Sequence, residues 1–412
     1  MQHIDNISGL IKRQLPAEIQ EILSIAGKMA GEQQYTLYMV GGMIRDLLLG
    51  RSSFDLDLVV EGNALEVARH FAEVIQGKEK IHPRFRTATV KWDGKSVDFA
   101  TARSETYPRP GALPTVNTGD ILTDLSRRDF TINSMALDIS SGELLDPYNG
   151  REDIEKKLVR VLHEKSFIDD ATRIWRAIRY EQRLDFMLEP HSLKLLVRDL
   201  DMLDTISRDR IRHELELVLK EEQPEKAIRR SAELGMLGKL HPLLIGDDWI
   251  SEKFRKAREM VSPDSPAIEL YLALLAYRLN KDETEEMINK LGLRKLQTRI
   301  LRDGNLLKTR LNKLSEPGIR PSEIYELLHS LHHTALTAVS IANTPGIQKN
   351  IDLYLNKLRY VKTALTGNDL EEMGIKAGPQ TKEILWKLLE ARLDGQVTDK
   401  EGEIEMVRKI TH

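Results

Sequence analysis

The sequence predicts an α+β protein in which a mixed-sheet head is followed by an all-helical remainder, and three observations carry that prediction. At 412 residues the chain is too long for one core, since domains usually run about 100 to 200 residues. Up to Gly150, strand-like runs interleave with helical stretches. From Arg151 onward apolar residues recur every three or four positions, and no convincing strand is found beyond about Ile139.

Taken in order, the first 30 residues read as a helix, with Ile7, Leu10, Ile11, Leu15, Ile19, Ile22 and Leu23 at helical spacing. Strands follow at Thr36 to Val40, Leu56 to Val60, Thr87 to Lys91, Ser96 to Ala100 and Met135 to Ile139. Helices over Met43 to Leu49 and Ala64 to Ile75 lie between them. Breaks at His241-Pro242, Ser262-Pro263-Asp264-Ser265-Pro266, Glu316-Pro317-Gly318 and Thr344-Pro345-Gly346 divide the helical remainder. The expected domains are a head over 1–150, a neck over 151–240, a body over 241–345 and a tail over 346–412.

Composition limits the function. Sixty-one basic against 64 acidic residues leave a net charge of −3, which excludes a protein that coats nucleic acid unselectively and confines any such role to local patches. Residues 1–150 carry 16 basic and 20 acidic side chains, whereas 251–412 carry 26 and 23, so the positive excess lies far from the head. The chain has no cysteine. Disulfides, thiolate zinc sites, iron–sulfur clusters and cysteine nucleophiles are thereby excluded, and a metal must be held by oxygen or imidazole. With no apolar run of about 18 residues and no signal-like amino terminus, no membrane association and a cytoplasmic location are expected. No sequence feature sets an oligomeric state.

The densest chemistry is Val40-Gly41-Gly42-Met43-Ile44-Arg45-Asp46, followed by Asp55-Leu56-Asp57-Leu58-Val59. A strand ends in two glycines and a helix begins at once, presenting bare amides to which a phosphate can approach closely. Arg45, in the first turn, is placed to add a charge-assisted contact. The glycine pair alone would more often be a tight structural turn. Asp55 and Asp57 change that balance, because residues two apart in a strand project from one face while Leu56 and Leu58 enter the core. Two like charges so close repel unless a cation lies between them, and Mg²⁺ suits a pair of carboxylates plus substrate phosphates. A solvated acidic turn is the plainer alternative, and the flanking apolar residues argue for a strand. Asp98, in the alternating run Ser96-Val97-Asp98-Phe99-Ala100, is a candidate third carboxylate of a two-metal site, or simply a surface residue.

Gly41-Gly42-x-x-Arg45-Asp46 and Asp55-x-Asp57 together resemble the nucleotidyltransferases of the DNA polymerase β superfamily. More closely, the chain is similar to class II tRNA nucleotidyltransferases and bacterial poly(A) polymerases. The resemblance continues through Arg127-Arg128-Asp129-Phe130-Thr131-Ile132-Asn133, Asp146-Pro147-Tyr148-Asn149-Gly150 and Asp169-Asp170-Ala171-Thr172-Arg173-Ile174-Trp175-Arg176-Ala177-Ile178-Arg179-Tyr180. It implies a template-independent, Mg²⁺-dependent enzyme that adds C and/or A to the 3′ end of tRNA from CTP and ATP. By the same resemblance Asp55, Asp57 and Asp98 are catalytic, with Asp55 and Asp57 on the metal. Gly41, Gly42, Arg45, Arg128, Arg176 and Arg179 contact the nucleotide, Asp170 and Arg173 read its base, and Asn133 is a weaker candidate for the sugar. Two departures stand out: Asp169 replaces a family Glu, and Arg86 stands where Gly is expected.

The spacing of Asp170, Arg173, Arg176 and Arg179 puts them along one side of a helix, with an ion pair expected between the first two. The alternative is a solvated basic face. A carboxylate there can accept from the exocyclic amine of cytosine and an Arg can donate to ring acceptors. Arg103 to Pro114, with three prolines, a glycine and two arginines, reads as a mobile basic loop. Ile206 to Leu215 reads as a structural brace. RNA phosphate contacts are expected at Arg294, Lys295, Arg299 and Arg302 on a basic helix, and at Lys376 before Gly378-Pro379. Within the class, A-adding, CC-adding and poly(A)-forming enzymes remain open; outside it, a non-catalytic RNA-binding protein on the same fold does.

Overall fold

The computed structural model describes residues 14–51, 56–112 and 114–411. Asp55 and the start of the expected first helix lie outside the described residues. The chain divides into two compact units, Met1–Glu214 and Leu215–His412.

The first unit is built on a seven-stranded mixed sheet. Its strands are β1 (Thr36–Val40), β2 (Leu56–Glu61), β3 (Lys78–His82), β4 (Thr87–Trp92), β5 (Lys95–Thr101), β8 (Ala136–Asp138) and β9 (Leu144–Leu145), ordered β3-β4-β5-β2-β1-β8-β9. β6 (Arg103–Thr106) and β7 (Thr115–Thr118) form a separate antiparallel ribbon, and β10 (Leu158–Val159) pairs in parallel with β11 (Met187–Leu188). One face of the sheet is covered by α1 (Ala17–Glu32) and α3 (Ala64–Val74). Phe71 of α3 meets Phe99 of β5 at 5.3 Å between ring centroids and Trp92 of β4 at 6.1 Å. On the other face, Ile121 and Leu125 of α4 (Ile121–Ser126) pack with Val40, Val59 and Ala136. That cover leaves the outer strands β4 and β3 open.

Helices complete the unit. α2 (Gly42–Leu48) starts at the end of β1, and α5 (Gly150–Glu155) follows the Asp146 to Gly150 motif. Asp146 accepts from the amides of Gly150 and Arg151 at 2.6 and 3.0 Å, and a Cβ on Gly150 would lie 2.4 Å from the Thr131 carbonyl oxygen, so this motif is a structural knot. Then come α6 (Ser166–Asp169), α7 (Thr172–Leu184), α8 (Pro190–Arg198) and α9 (Arg208–Leu219), the last containing the boundary between the units.

The five strands expected from the sequence are present to within two residues at each end. β3 escaped notice because it is an edge strand of sequence Lys-Glu-Lys-Ile-His without apolar alternation. Short strands do occur beyond Ile139, at β9, β10 and β11, each too brief to show a period. Of the expected loop from Arg103 to Pro114, the first four residues form β6, with Arg103 held by Glu105 and the Phe85 carbonyl, and the stretch from Tyr107 to the start of β7 is turn and coil among the described residues.

All strands among the described residues lie in the first unit. The second is helical, with one core around Leu328, Leu336 and Ile351 and another around Leu370, Ile384, Leu388 and Val407. Pro379 sits at the start of a helix, as the sequence indicated, and so does Pro345 in one of the expected breaks. Among the described residues no helix is long and apolar enough to cross a membrane.

Candidate active site

Where β1 ends and α2 begins, Gly41 adopts φ 72° and ψ −137°. A Cβ there would stand 2.9 Å from Arg128 Nη1 in a backbone conformation that side chains disfavour, so glycine is what lets the Arg128 guanidinium lie across the turn. Asp57 sits beside this turn on β2. It pairs in register with Asp98 of the parallel neighbour β5, which puts both carboxylates on the open face of the sheet. Asp98 is exposed and accepts from the Thr89 hydroxyl at 2.5 Å. Among the described residues no group of three or more His, Asp or Glu is arranged to hold a metal; Asp55, two residues before Asp57, lies outside them.

A cleft of about 300 Å³ opens beside the glycine turn, at the lower end of the usual range for small-molecule sites. Gly41, Gly42, Asp57, Arg128, Asn133, Asp170, Arg173 and Arg176 all line it. The structure therefore gathers eight of the twelve predicted catalytic and nucleotide-contacting residues around one space. Glu105, Tyr107, Arg127, Asp129 and Tyr180 complete the wall.

Most of these charges are held by a buried network. Arg176 donates twice to Asp129 Oδ2, at 2.8 and 2.6 Å, and Asp129 Oδ1 accepts from Asn133 at 3.0 Å. Burial alone would raise the Asp129 pKa, but Arg176 and the hydrogen bonds outweigh it and hold the carboxyl at about 2. Asn133 in turn accepts from Arg45 Nη1 at 2.6 Å, so it links Arg45 to Asp129 at the wall of the cleft. Arg45 is itself buried, pairs with Asp46 and does not line the cleft. Its guanidinium lies against the glycine turn, Nη2 3.3 Å from where a Cβ on Gly42 would stand. Asp124 takes Arg127 at 2.6 Å and Arg128 at 3.0 Å. Tyr180, one turn after Arg176, has the guanidinium carbons of Arg45, Arg176 and Arg179 5.1, 5.5 and 5.4 Å from its ring centroid. In the sequence it was marked by that spacing and by closing the Asp169 to Tyr180 motif.

Asp170 and Arg173 are arranged differently from the helical spacing. Asp170 precedes α7 instead of lying within it, and its partners are the amide and hydroxyl of Thr172 and, at 2.7 Å, Arg210 Nη2. Arg173 is buried and donates to the Ser166 hydroxyl at 2.8 Å and the Arg127 carbonyl at 2.6 Å, so no Asp170–Arg173 ion pair forms. Arg179 lies outside the cleft, 3.8 Å from Glu214, a buried carboxyl whose pKa burial raises. Arg210 and Glu214 of α9 thus brace the segment that carries Asp170 and Arg179.

In the second unit the expected RNA contacts separate. Lys295 and Lys376 are exposed. Arg294 lies 3.6 Å from Glu216 and Arg299 3.5 Å from Asp303, both remaining largely exposed. Arg302 forms a two-point pair with Glu285 at 2.6 and 2.7 Å while its side chain stays 59% exposed.

Residues 37–160 match the poly(A) polymerase head domain, and 185–245 match a domain described as a probable RNA and SrmB-binding site of polymerase A. The chain is 31% identical over 416 residues to the A-adding tRNA nucleotidyltransferase of Halalkalibacterium halodurans, covering 99% of this chain and 96% of that one. It is 32% identical over 422 residues to the A-adding tRNA nucleotidyltransferase of Geobacter sulfurreducens; there the alignment takes in 97% of this chain but spans only 48% of the longer relative. The Thermotoga maritima CCA-adding enzyme complexed with tRNA superposes with a TM-score of 0.79 at 30% identity, covering 100% of both chains. A glycine turn beside strand carboxylates, facing an arginine-rich cleft, defines a nucleotidyltransferase, and the chain belongs to the tRNA nucleotidyltransferase family with a poly(A) polymerase head. Enzymes of this family use a divalent cation.

Proposed function

We propose that this chain adds C and/or A to the 3′ end of tRNA from CTP and ATP, without a template, in the cytoplasm. The observation that carries the reading is the convergence on one cleft of the Gly41–Gly42 turn, Asp57 and the side chains of Arg128, Asp170, Arg173 and Arg176. The A-adding relatives make ATP the first nucleotide to test.

The RNA 3′ hydroxyl oxygen forms a bond to the α-phosphorus, the bond from that phosphorus to the bridging oxygen breaks, and pyrophosphate leaves. Asp57 and Asp98 fit a hard cation, being oxygen donors in register on one sheet face, and Asp55 belongs with them by its place in the sequence. Bound there, Mg²⁺ would supply charge stabilisation to the reacting phosphate and lower the pKa of the attacking hydroxyl. Arg128 and the amides of the glycine turn bind the phosphates, while Arg176, fixed by Asp129, orients its donors toward the cleft. Asp170 accepts from the exocyclic amine of the base and Arg173 donates to its ring acceptors. The absence of any template strand then leaves base choice to side chains that are already held in place. Arg294, Lys295, Arg299 and Lys376 provide phosphate contacts for the tRNA body.

The test is incubation of tRNAs ending before the first C, before the second C and before the terminal A with labelled CTP or ATP and Mg²⁺, followed by sequencing of the ends. Defined addition is expected, and Asp55→Ala abolishes it with the thermal unfolding curve unchanged. Retained activity in that variant overturns the assignment, and unbounded A tails replace it with poly(A) synthesis.

A further inference from the structure

The open face of the head sheet continues well past the carboxylates. Cross-strand partners share a face, and one row of partners runs Asp57, Asp98, Thr89, Lys80 across β2, β5, β4 and β3. The next row runs Ser96, Lys91, Lys78. Lys78, Lys80 and Lys91 are all exposed. Strand parity sends the one acid of β3, Glu79, to the opposite face, where it lies 3.8 Å from Arg69 of α3. Along these rows the only acidic groups on the open face are therefore Asp57 and Asp98. Lys78, Lys91 and Ser96 also line a groove of about 640 Å³ at the end of this face, between the β4–β5 turn and the start of β3.

Asp98 does not line the nucleotide cleft, whereas Asp57 does. The two sides of the carboxylate row thus meet different spaces: arginines and the glycine turn on one, hydroxyls and lysines on the other. An attacking hydroxyl has to reach the carboxylates from the side the triphosphate does not fill. With strands about 4.8 Å apart, Lys80 lies roughly 10 Å from Asp98 along the row, a distance that a nucleotide or two can span.

We propose that Lys78, Lys80 and Lys91 on the open face of β3 and β4 hold the last phosphates of the single-stranded 3′ end of the RNA as it enters toward Asp98. This rests on the function given above and assigns the path of its second substrate. Thr89 and Ser96 add neutral donors along the way, and the face reads no base, in keeping with contacts that position a backbone.

The test is filter retention, without nucleotide, of two RNAs: a tRNA lacking only its terminal A, and the same tRNA trimmed back to its paired stem. The combined variant Lys78→Ala, Lys80→Ala, Lys91→Ala is expected to bind the tailed RNA roughly ten-fold more weakly, with a shallower dependence on salt, and the trimmed RNA within about two-fold of the unaltered protein. The corresponding Lys→Arg variant restores binding, which separates charge from fold. No loss, or an equal loss on both RNAs, overturns the proposal. Nucleotide addition by the unaltered protein is read separately, so failure of the function and failure of this surface are distinguishable.

Discussion

The two units use arginine in opposite ways. In the first, Arg45, Arg173 and Arg179 are buried and Arg176 is fixed by two hydrogen bonds to a buried carboxylate. In the second, Arg294, Arg299 and Arg302 keep side-chain exposures of 67, 60 and 59%. A charge pair away from solvent is strongly coupled to its neighbours, while one in water is screened and replaceable. The first arrangement suits selection among small, similar ligands, and the second suits a sliding, additive grip on a polyanion.

The sharpest way to break this contrast is Asp129→Ala. It leaves Arg176 and Asn133 without their acceptor, and a loss of about 3 kcal/mol in stability is expected, together with a raised KM for nucleotide. Asp129 also has a pH signature. Its folded pKa of about 2 lies below the ordinary 3.8, so its contribution is complete above pH 4 and is lost as pH falls toward 2. The difference corresponds to about 2 kcal/mol. Urea unfolding of the unaltered protein and the variant should therefore converge in acid; parallel curves down to pH 2 would remove Asp129 from its place at the centre of the network.

A smaller effect is expected in the second unit. Lys295→Ala with Arg299→Ala should weaken tRNA binding a few-fold, roughly uniformly across tRNA sequences, and reduce the salt slope by about 1 to 2. An unchanged slope would show that this helix does not meet RNA. Smallest of all is Arg302→Ala, whose guanidinium is already committed to Glu285. A change of less than two-fold in tRNA affinity is expected by the same retention assay, and a larger one would dissolve the distinction between paired and available cations on this face.

Much of this was legible because it is local. The strand Thr36–Val40, the glycine turn and the parity of Asp57 each follow from a few neighbouring residues. Asn133 and Asp170 show where that reading stops. Both reach the cleft, but their partners Arg45 and Arg210 lie 88 and 40 positions away, so no spacing rule could reveal that one is a relay and the other, just ahead of α7, is held from a distant helix. Pattern also missed the two short strands that flank the loop after Tyr107, because β6 and β7 bury little and so carry little periodicity. Arg86 is the converse case: the departure from glycine becomes intelligible only with its backbone, which is left-handed at φ 51° and ψ 44°, with the side chain reaching Thr118 at 2.7 Å.

The pairing of Asp57 with Asp98 has a wider consequence. Their separation is set by the hydrogen-bond ladder between two parallel strands rather than by loops, so the reaction centre is insulated from change elsewhere in the chain. The segments proposed to choose a base or hold an RNA lie at and just before α7 and in the second unit, and can drift without disturbing that spacing. A family in which some members add only A and others the whole CCA end is what such a division of labour would allow evolution to produce from one unchanging chemical step.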